Sequence, residues 1–322
     1  MPVIATLTLN PAIDVSTSAE RVEPTRKLRC RPGRRDPGGG GINVARVASR
    51  LGAEAIAVYP SAGLAGQLLH RLVELEGLRS VAVPVSGEAR EDFTVLDEST
   101  GEQYRFVLPG PHMHGSEWMA CLKALAGLDD RPEIVCASGS LPPGAPDDFY
   151  ARVAEIVSSR GARFVLDTAG APLKAALCER ICLIKPNLRE LREIVGGALD
   201  DEASLTAACR TLIGQGRTEA VALTLGREGA LLVTADRAWR AGPMPLQAVS
   251  AVGAGDSFLG GMVWALAAKK PLEEAFRYGV AAGAAAVLAE GTELSRPEDV
   301  RRLLGQVSIE PAPGPRSVRS AA

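Results

Sequence analysis

The sequence predicts an α/β protein, in which a mostly parallel sheet is covered by helices on both faces and a second, smaller β-sheet stands beside it. Three observations carry this. Short apolar runs rich in β-formers alternate with longer helical ones, and most of those runs are followed within a few residues by Gly, Pro or Asn. Two regions, 14–36 and 88–110, break the alternation by being polar, basic and alternating in hydropathy.

In chain order, strands are expected over residues 3–9, 55–59, 134–137, 163–167, 181–184 and 220–224, each short and apolar. Helices are expected between them, over 42–51, 65–75, 116–125, 145–159, 188–195 and 204–214. In the second polar region, Phe93-Thr-Val-Leu-Asp, Glu98-Ser-Thr-Gly101 and Glu102-Gln-Tyr-Arg-Phe-Val-Leu108 read as a hairpin. Residues 1–307 form one domain on this reading, with a discontinuous lid at about 14–36 and 88–110. Residues 308–322 are rich in Pro, Ser and Arg without periodicity, which predicts a disordered tail.

Composition excludes several classes. The chain has 322 residues, 46% hydrophobic and 23% charged, enough to bury a large core. A net charge of −2 supplies no overall positive field, so neither nucleic acid nor a membrane is an expected partner. The start of the chain lacks the basic and apolar segments of a signal peptide, and the most apolar later stretch, 280–289, is too short to span a bilayer. A cytoplasmic location is therefore expected. Six cysteines without a Cys-x-x-Cys pair fit reduced, mostly buried thiols. His112 and His114 lack a third histidine nearby and read better as a polar loop than as a metal site.

Chemistry concentrates in Ser250-Ala-Val-Gly-Ala-Gly-Asp256, which runs directly into an apolar helix. Gly253, Ala254 and Gly255 carry little side chain, so their amides can face an anion at the positive end of that helix. Asp256 in the first turn can take the proton of an attacking hydroxyl while those amides hold a migrating phosphoryl group. The same residues also fit a plain helix start with Asp256 as its cap. Pro37-Gly-Gly-Gly-Gly-Ile-Asn43 opens another helix and permits close backbone approach to a ligand. It is not a dinucleotide fingerprint, because Asn43 or Val44 stands where a third glycine is needed. Gly-Lys, His-Arg-Asp and Asp-Phe-Gly are all absent, which excludes Walker A and protein-kinase architectures. Residues 26–35 hold six bases in ten, and in a strand Lys27, Arg29 and Arg31 would share one face able to grip phosphate or simply to protect a sheet edge. Arg90 and Arg105 would bring further bases from the second polar region.

Together with Ser138-Gly-Ser-Leu-Pro-Pro-Gly144, Lys185-Pro-Asn-Leu-Arg-Glu190 and Thr224-Leu-Gly-Arg-Glu-Gly229, the glycine run from Pro37 and the Val252-Gly-Ala-Gly-Asp256 core make five motifs in order over about 220 residues. In this set the chain resembles the ribokinase-like (PfkB) sugar kinases, nearly throughout to about residue 305. Lys27-Leu-Arg-Cys30, the quadruple glycine and Gly101-Glu-Gln-Tyr-Arg-Phe-Val107 with Pro109-Gly110 further resemble the members that act on fructose 6-phosphate.

The resemblance implies a ribokinase-like three-layer α/β/α domain with a small β-sheet lid, and a homodimer in which two lids clasp. It implies ATP and Mg²⁺ as cofactors and Asp256 as the base toward the sugar's C1 hydroxyl, with the amides of Gly253, Ala254 and Gly255 as anion hole. Asp14, Gly38, Gly39 and Asn43 would line the sugar. Lys27, Arg29, Arg90, Arg105 and Ser140 would hold its 6-phosphate, some from the partner subunit. Lys185 and Asn187 would face the ATP phosphates, Thr224, Gly226 and Gly229 would lie along the nucleotide, and Glu190 would hold Mg²⁺ through water. Asn187 and Glu190 also fit an N-cap and its capping-box glutamate, and Ser140 fits a loop serine bonding nearby backbone. A monovalent cation such as K⁺ would bind through Ser250, Val252 and Gly291. The chain departs from the family in having Ser250-Ala251 where Asp-Thr is common, which removes a hydroxyl from that site.

Uncharged acceptors need no phosphate grip, so the basic lid favours a sugar phosphate. Fructose 6-phosphate fits best, with fructose 1-phosphate and tagatose 6-phosphate as alternatives. A non-catalytic sugar-phosphate or nucleotide sensor is a second class of function, but a sensor needs no base at Asp256.

Overall fold

The computed structural model describes residues 3–312. The chain opens with β1 (Val3–Leu7), leaves as β2 (Ala12–Ala19) and β3 (Arg34–Gly38), and returns through α1 (Gly40–Arg50) to β4 (Glu54–Ala62). Helix α2 (Gly63–Leu75) leads to β5 (Arg79–Val85), after which β6 (Arg90–Asp97) and β7 (Gln103–Phe106) again lie outside the main layer. An alternating stretch follows: α3 (Gly115–Ala126), β8 (Ile134–Ser138), α4 (Phe149–Ser159), β9 (Arg163–Asp167), α5 (Gly170–Ala176), β10 (Leu183–Ile184), α6 (Leu188–Val195), α7 (Glu202–Gly214) and β11 (Ala220–Thr224). The chain ends with β12 (Ala230–Thr234), β13 (Ala238–Ala241), α8 (Ala254–Ala267), α9 (Leu272–Ala286), α10 (Pro297–Leu304) and β14 (Ile309–Pro311).

Among the described residues, ten strands form one sheet in the order β14-β13-β12-β11-β10-β9-β8-β1-β4-β5. It is parallel from β11 to β5, and antiparallel from β11 to β14. Alternation along the strands sends Val135 and Ala137 to one core and Ile134 and Cys136 to the other. The first core is closed by α3 to α7 and the second by α1, α8, α9 and α10. This is the expected three-layer α/β/α arrangement. None of these helices is long and apolar enough to cross a membrane.

The smaller sheet has the order β3-β2-β6-β7 and is assembled from the two polar regions. Strand β6 runs parallel to β2 and antiparallel to β7, so the expected hairpin is present. The face that Lys27, Arg29 and Arg31 would share in a strand does not arise: Lys27 and Arg29 lie in an exposed loop, Cys30 makes only an isolated bridge to Ala19, and β3 begins at Arg34. Leu28 and Cys30, which would form the opposite side of such a strand, are both exposed, so no core is laid against this segment. The expected tail boundary also shifts. Ile309, Glu310 and Pro311 pair with β13, and residues 313–322 lie outside the described residues.

Candidate active site

The position of the site follows from topology. From β1 the chain steps one way to β4 and β5, and from β8 the other way to β9, β10 and β11, so the connections diverge between β1 and β8. A crevice opens outside the carboxyl ends of strands at such a reversal. It contains a cavity of about 940 Å³ whose lining includes Asn10 beyond β1, Ser138 ending β8, Asp167 ending β9, and Asp256, with Arg90 from the smaller sheet.

Helix α8 starts at one wall of this cavity. Its N-cap, Gly253, has φ 73°, a left-handed conformation that glycine adopts without strain, and a Cβ there would collide with Leu294. Ala254, Gly255 and Asp256 form the first turn, where amides have no helical partner. Asn43, in the first turn of α1, donates Nδ2–H to Asp256 Oδ2 at 2.8 Å across 213 residues of sequence. Burial raises the Asp256 carboxyl above its ordinary range. The Asn43 bond opposes that rise, Asp167 adds to it, and Lys185 and Arg105 oppose it. The expected glycine cradle is also in place, since a Cβ at Gly38 would strike the Asp14 carboxylate and one at Gly39, with φ 103°, would meet Thr8.

Asp14, on β2, sits near Asp92 and Asp256, and its carboxyl is pushed up to about 7 by burial first and then by those two acids, against Arg105 and Arg46. Lys185 follows β10, and its Nζ lies 3.2 Å from Asp167 Oδ2. Burial alone would lower the ammonium's pKa, but Asp167, Asp256 and Glu190 together hold it above the ordinary lysine value. A Cβ on Gly255 would stand 3.5 Å from that Nζ, so the cation borders the first turn of α8.

Asn187 caps α6, accepting from Glu190 N–H at 3.0 Å and donating Nδ2–H to Glu190 Oε1 at 2.7 Å, while Glu190 Oε2 accepts from Asn187 N–H at 2.9 Å. The capping box is therefore present in full, and Glu190 still reaches the cavity with lone pairs to spare for a water-bridged Mg²⁺. Thr224 forms a bridge with Asn187, and Gly226 and Gly229, with φ 60° and 94°, continue into the adjoining turn. Ser250 donates Oγ–H to the Gly291 carbonyl at 3.1 Å and accepts from Val252 N–H at 3.2 Å. Ser250 Oγ and the Gly291 carbonyl are thereby brought together, with Val252 contributing an N–H, and among the described residues no group of three His, Cys, Asp or Glu could hold a metal.

The phosphate candidates separate. Arg90 lines the cavity but is already engaged, donating to the carbonyls of Asn10 at 3.0 Å and Leu108 at 3.3 Å and pairing with Asp92 at 2.9 Å. Ser140 also lines it and accepts from Asn10 Nδ2–H at 3.1 Å, not from nearby backbone. Arg105, on β7, acts on both Asp14 and Asp256. Lys27 and Arg29 are not brought to the cavity by this chain.

Three residues of the site were not anticipated. Asp167 is a carboxylate that directly follows Phe164-Val-Leu166 at the end of the predicted strand 163–167, a recognisable signal. Asn10 sits just past β1 and joins Ser140 to Arg90. Arg46 is a charge on the buried face of α1. All six cysteines are unpaired, with Cys121, Cys136 and Cys209 buried and Cys30 and Cys178 exposed.

Comparison with known proteins agrees with this geometry. The model of the pfkB family carbohydrate kinases matches residues 3–299. The chain is similar to ATP-dependent 6-phosphofructokinase isozyme 2 of Mycobacterium tuberculosis, at 43% identity over 310 residues, covering 96% of this chain and 91% of that one. It is 36% identical over 266 residues to 1-phosphofructokinase of Xanthomonas campestris, covering 81% and 83%. Phosphofructokinase-2 of Escherichia coli superimposes with a TM-score of 0.89 in its complex with fructose-6-phosphate, at 35% identity over 95% of this chain and 99% of that one. The same protein has been solved with potassium, TM-score 0.90, and as a tetrameric inhibited form, TM-score 0.89.

Proposed function

The chain belongs to the pfkB family of carbohydrate kinases, and we propose that it transfers the γ-phosphoryl group of ATP to the C1 hydroxyl of fructose 6-phosphate. The observation that carries this reading is the Asp256 carboxylate in the first turn of α8, held by Asn43 beside the amides of Gly253, Ala254 and Gly255. In the reaction the C1 oxygen attacks phosphorus and its proton passes to the Asp256 oxygen that Asn43 leaves free. The bond from phosphorus to the bridging oxygen breaks, leaving ADP. The three amides and Lys185 stabilise the negative charge on the migrating group.

Asp14, Gly38, Gly39 and Asn43 hold the sugar on this reading, and Arg90, Ser140 and Arg105 hold its phosphate. Lys27 and Arg29 take part only if a second copy delivers them. Asn187, Thr224, Gly226 and Gly229 line the nucleotide. Magnesium, held by Glu190 through water, neutralises charge on the ATP phosphates when bound. Ser250, Val252 and Gly291 take a monovalent cation. Two copies pair through the smaller sheet, whose Phe93, Tyr104 and Phe106 are 37%, 37% and 53% exposed.

The likeness to a 1-phosphofructokinase supports fructose 1-phosphate as a second reading. ADP release measured across fructose 6-phosphate, fructose 1-phosphate, tagatose 6-phosphate and ribose, with and without Mg²⁺, separates them. The highest kcat/KM is expected for fructose 6-phosphate with Mg²⁺. A preference for fructose 1-phosphate moves the assignment to the second reading, and silence with every acceptor favours a sensor.

A further inference from the structure

Helix α1 is apolar on the side that faces the sheet, yet Arg46 lies on its buried face with a side chain 0% exposed. A guanidinium enclosed this way must have nearly all its donors satisfied. One terminal nitrogen donates to the Pro37 carbonyl at 3.0 Å and to Asn43 Oδ1 at 3.3 Å. The other donates to Glu76 Oε1 at 2.7 Å and lies 3.5 Å from Asp36 Oδ1. Pro37 leads into the glycine run, and Asn43 carries the amide that bonds Asp256.

The two ends of an asparagine amide are nearly isosteric, so its orientation is set by its partners. Arginine has donors and no acceptor, so the Asn43 atom facing Arg46 must be the oxygen. The amide's N–H₂ then has to face Asp256, stabilising the carboxylate form and leaving the other carboxylate oxygen open. Turned over, the amide would present its oxygen to Asp256, an arrangement tolerated only when Asp256 carries a proton and is no longer a base.

We infer that Arg46 is a positioning residue for the phosphoryl transfer, fixing the Asn43 amide so that Asp256 stays an ionised base and tying the glycine run to it through Pro37. The inference rests on the reading of Asp256 as base. Asp256 is also faced by Asp167 from β9, Lys185 from beyond β10, Arg105 from β7, Asp14 from β2 and Cys136 from β8; of these, Asp14 also feels the Arg46 charge, which Arg46→Lys keeps and Arg46→Met removes, so Arg46→Lys is the variant that isolates the amide.

The test is the pH dependence of kcat, measured with fructose 6-phosphate and ATP, for Arg46→Lys, Arg46→Met and Asn43→Ala. Glu76 keeps Arg50, and Asp36 keeps Arg34 and Thr292, so neither acid is stranded when Arg46 changes. Arg46→Lys retains the charge but offers one nitrogen in place of the fork. In each variant the acidic limb should move up by about one to two pH units, as expected when a carboxylate loses a hydrogen bond, with KM for ATP changed less than about threefold. Adding Arg46→Lys to Asn43→Ala should move the limb no further. Lost activity with an unmoved limb in Arg46→Lys overturns the inference and leaves Arg46 merely structural. An additive shift in the double variant also overturns it. Failure of the base reading shows up separately, as Asp256→Asn turning over at close to the rate of the unaltered protein.

Discussion

Lys185 Nζ lies 3.2 Å from Asp167 Oδ2, with both side chains largely enclosed, in the gap between the ends of β9 and β10 and the start of α8. The pair places a fixed cation where phosphate charge would gather and keeps it charged throughout the physiological pH range, because Asp167, Asp256 and Glu190 outweigh the cost of burial. Removing that cation with Lys185→Met should lower kcat by about 10- to 100-fold and raise KM for ATP more than KM for the sugar phosphate. Steady-state kinetics with each substrate varied will show it, and equal effects on both KM values would contradict the placement.

Asp256→Asn keeps the size of the side chain and removes its basicity. Turnover should fall by roughly 10²–10⁴, while ATP affinity by calorimetry stays close to that of the unaltered protein.

Arg90→Ala removes donors to Asn10 and Leu108 as well as a pairing with Asp92. KM for the sugar phosphate should rise by about tenfold or more, in line with loss of a charge-assisted contact, and KM for ATP should not follow. A parallel rise in both would mark Arg90 as a brace for the 107–110 segment and no more.

Asp14 has its carboxyl pushed from an ordinary value of 3.8 to about 7, so the folded chain holds this proton more tightly than the unfolded chain. Its effect on stability is absent well below pH 4, grows as pH rises toward 7, and is fully destabilising above that. Asp14→Asn should therefore raise the melting temperature at pH 8 by a few degrees relative to pH 5, given ~2–4 °C per kcal/mol in a large chain. Sugar binding should weaken at the same time, the usual relation between a strained site and stability. Scanning calorimetry at the two pH values checks the sign.

Phe106 pairs with Phe93 across β6 and β7, and both rings are exposed. Phe106→Lys should reduce the sedimentation coefficient from that of a pair to that of a single copy at micromolar concentration. A variant that sediments as the parent does would place the interface elsewhere.

The helix starts at Gly39 and Gly253 were legible because they depend on local chemistry, namely glycine runs followed by apolar periodicity. The α6 capping box was legible for the same reason, with Asn187 and Glu190 at the right spacing. Strands β12 to β14 and helices α9 and α10 carry weaker signals, because strands of three to five residues, an alanine-rich helix and an eight-residue helix are each too short or too uniform for a sustained period. Lys27 and Arg29 show the converse: alternation would give them a shared face in a strand, but the segment is an exposed loop with an isolated bridge at Cys30 in place of a ladder.

By itself, the sequence determined the alternation that makes a parallel sheet, the two polar regions that leave it, and the set of residues able to handle a phosphoryl group. Those properties reside in side-chain chemistry at short range. Only the tertiary structure decided that Asn43 would meet Asp256 across 213 residues, that Lys185 would take Asp167 as its partner, and that Arg46 would be enclosed behind both. The physical reason is that the strands run parallel while the order of their connections reverses between β1 and β8, which gathers the carboxyl ends of distant strands at one crevice. Local propensity carries no record of which distant side chains a crevice will bring within hydrogen-bonding distance.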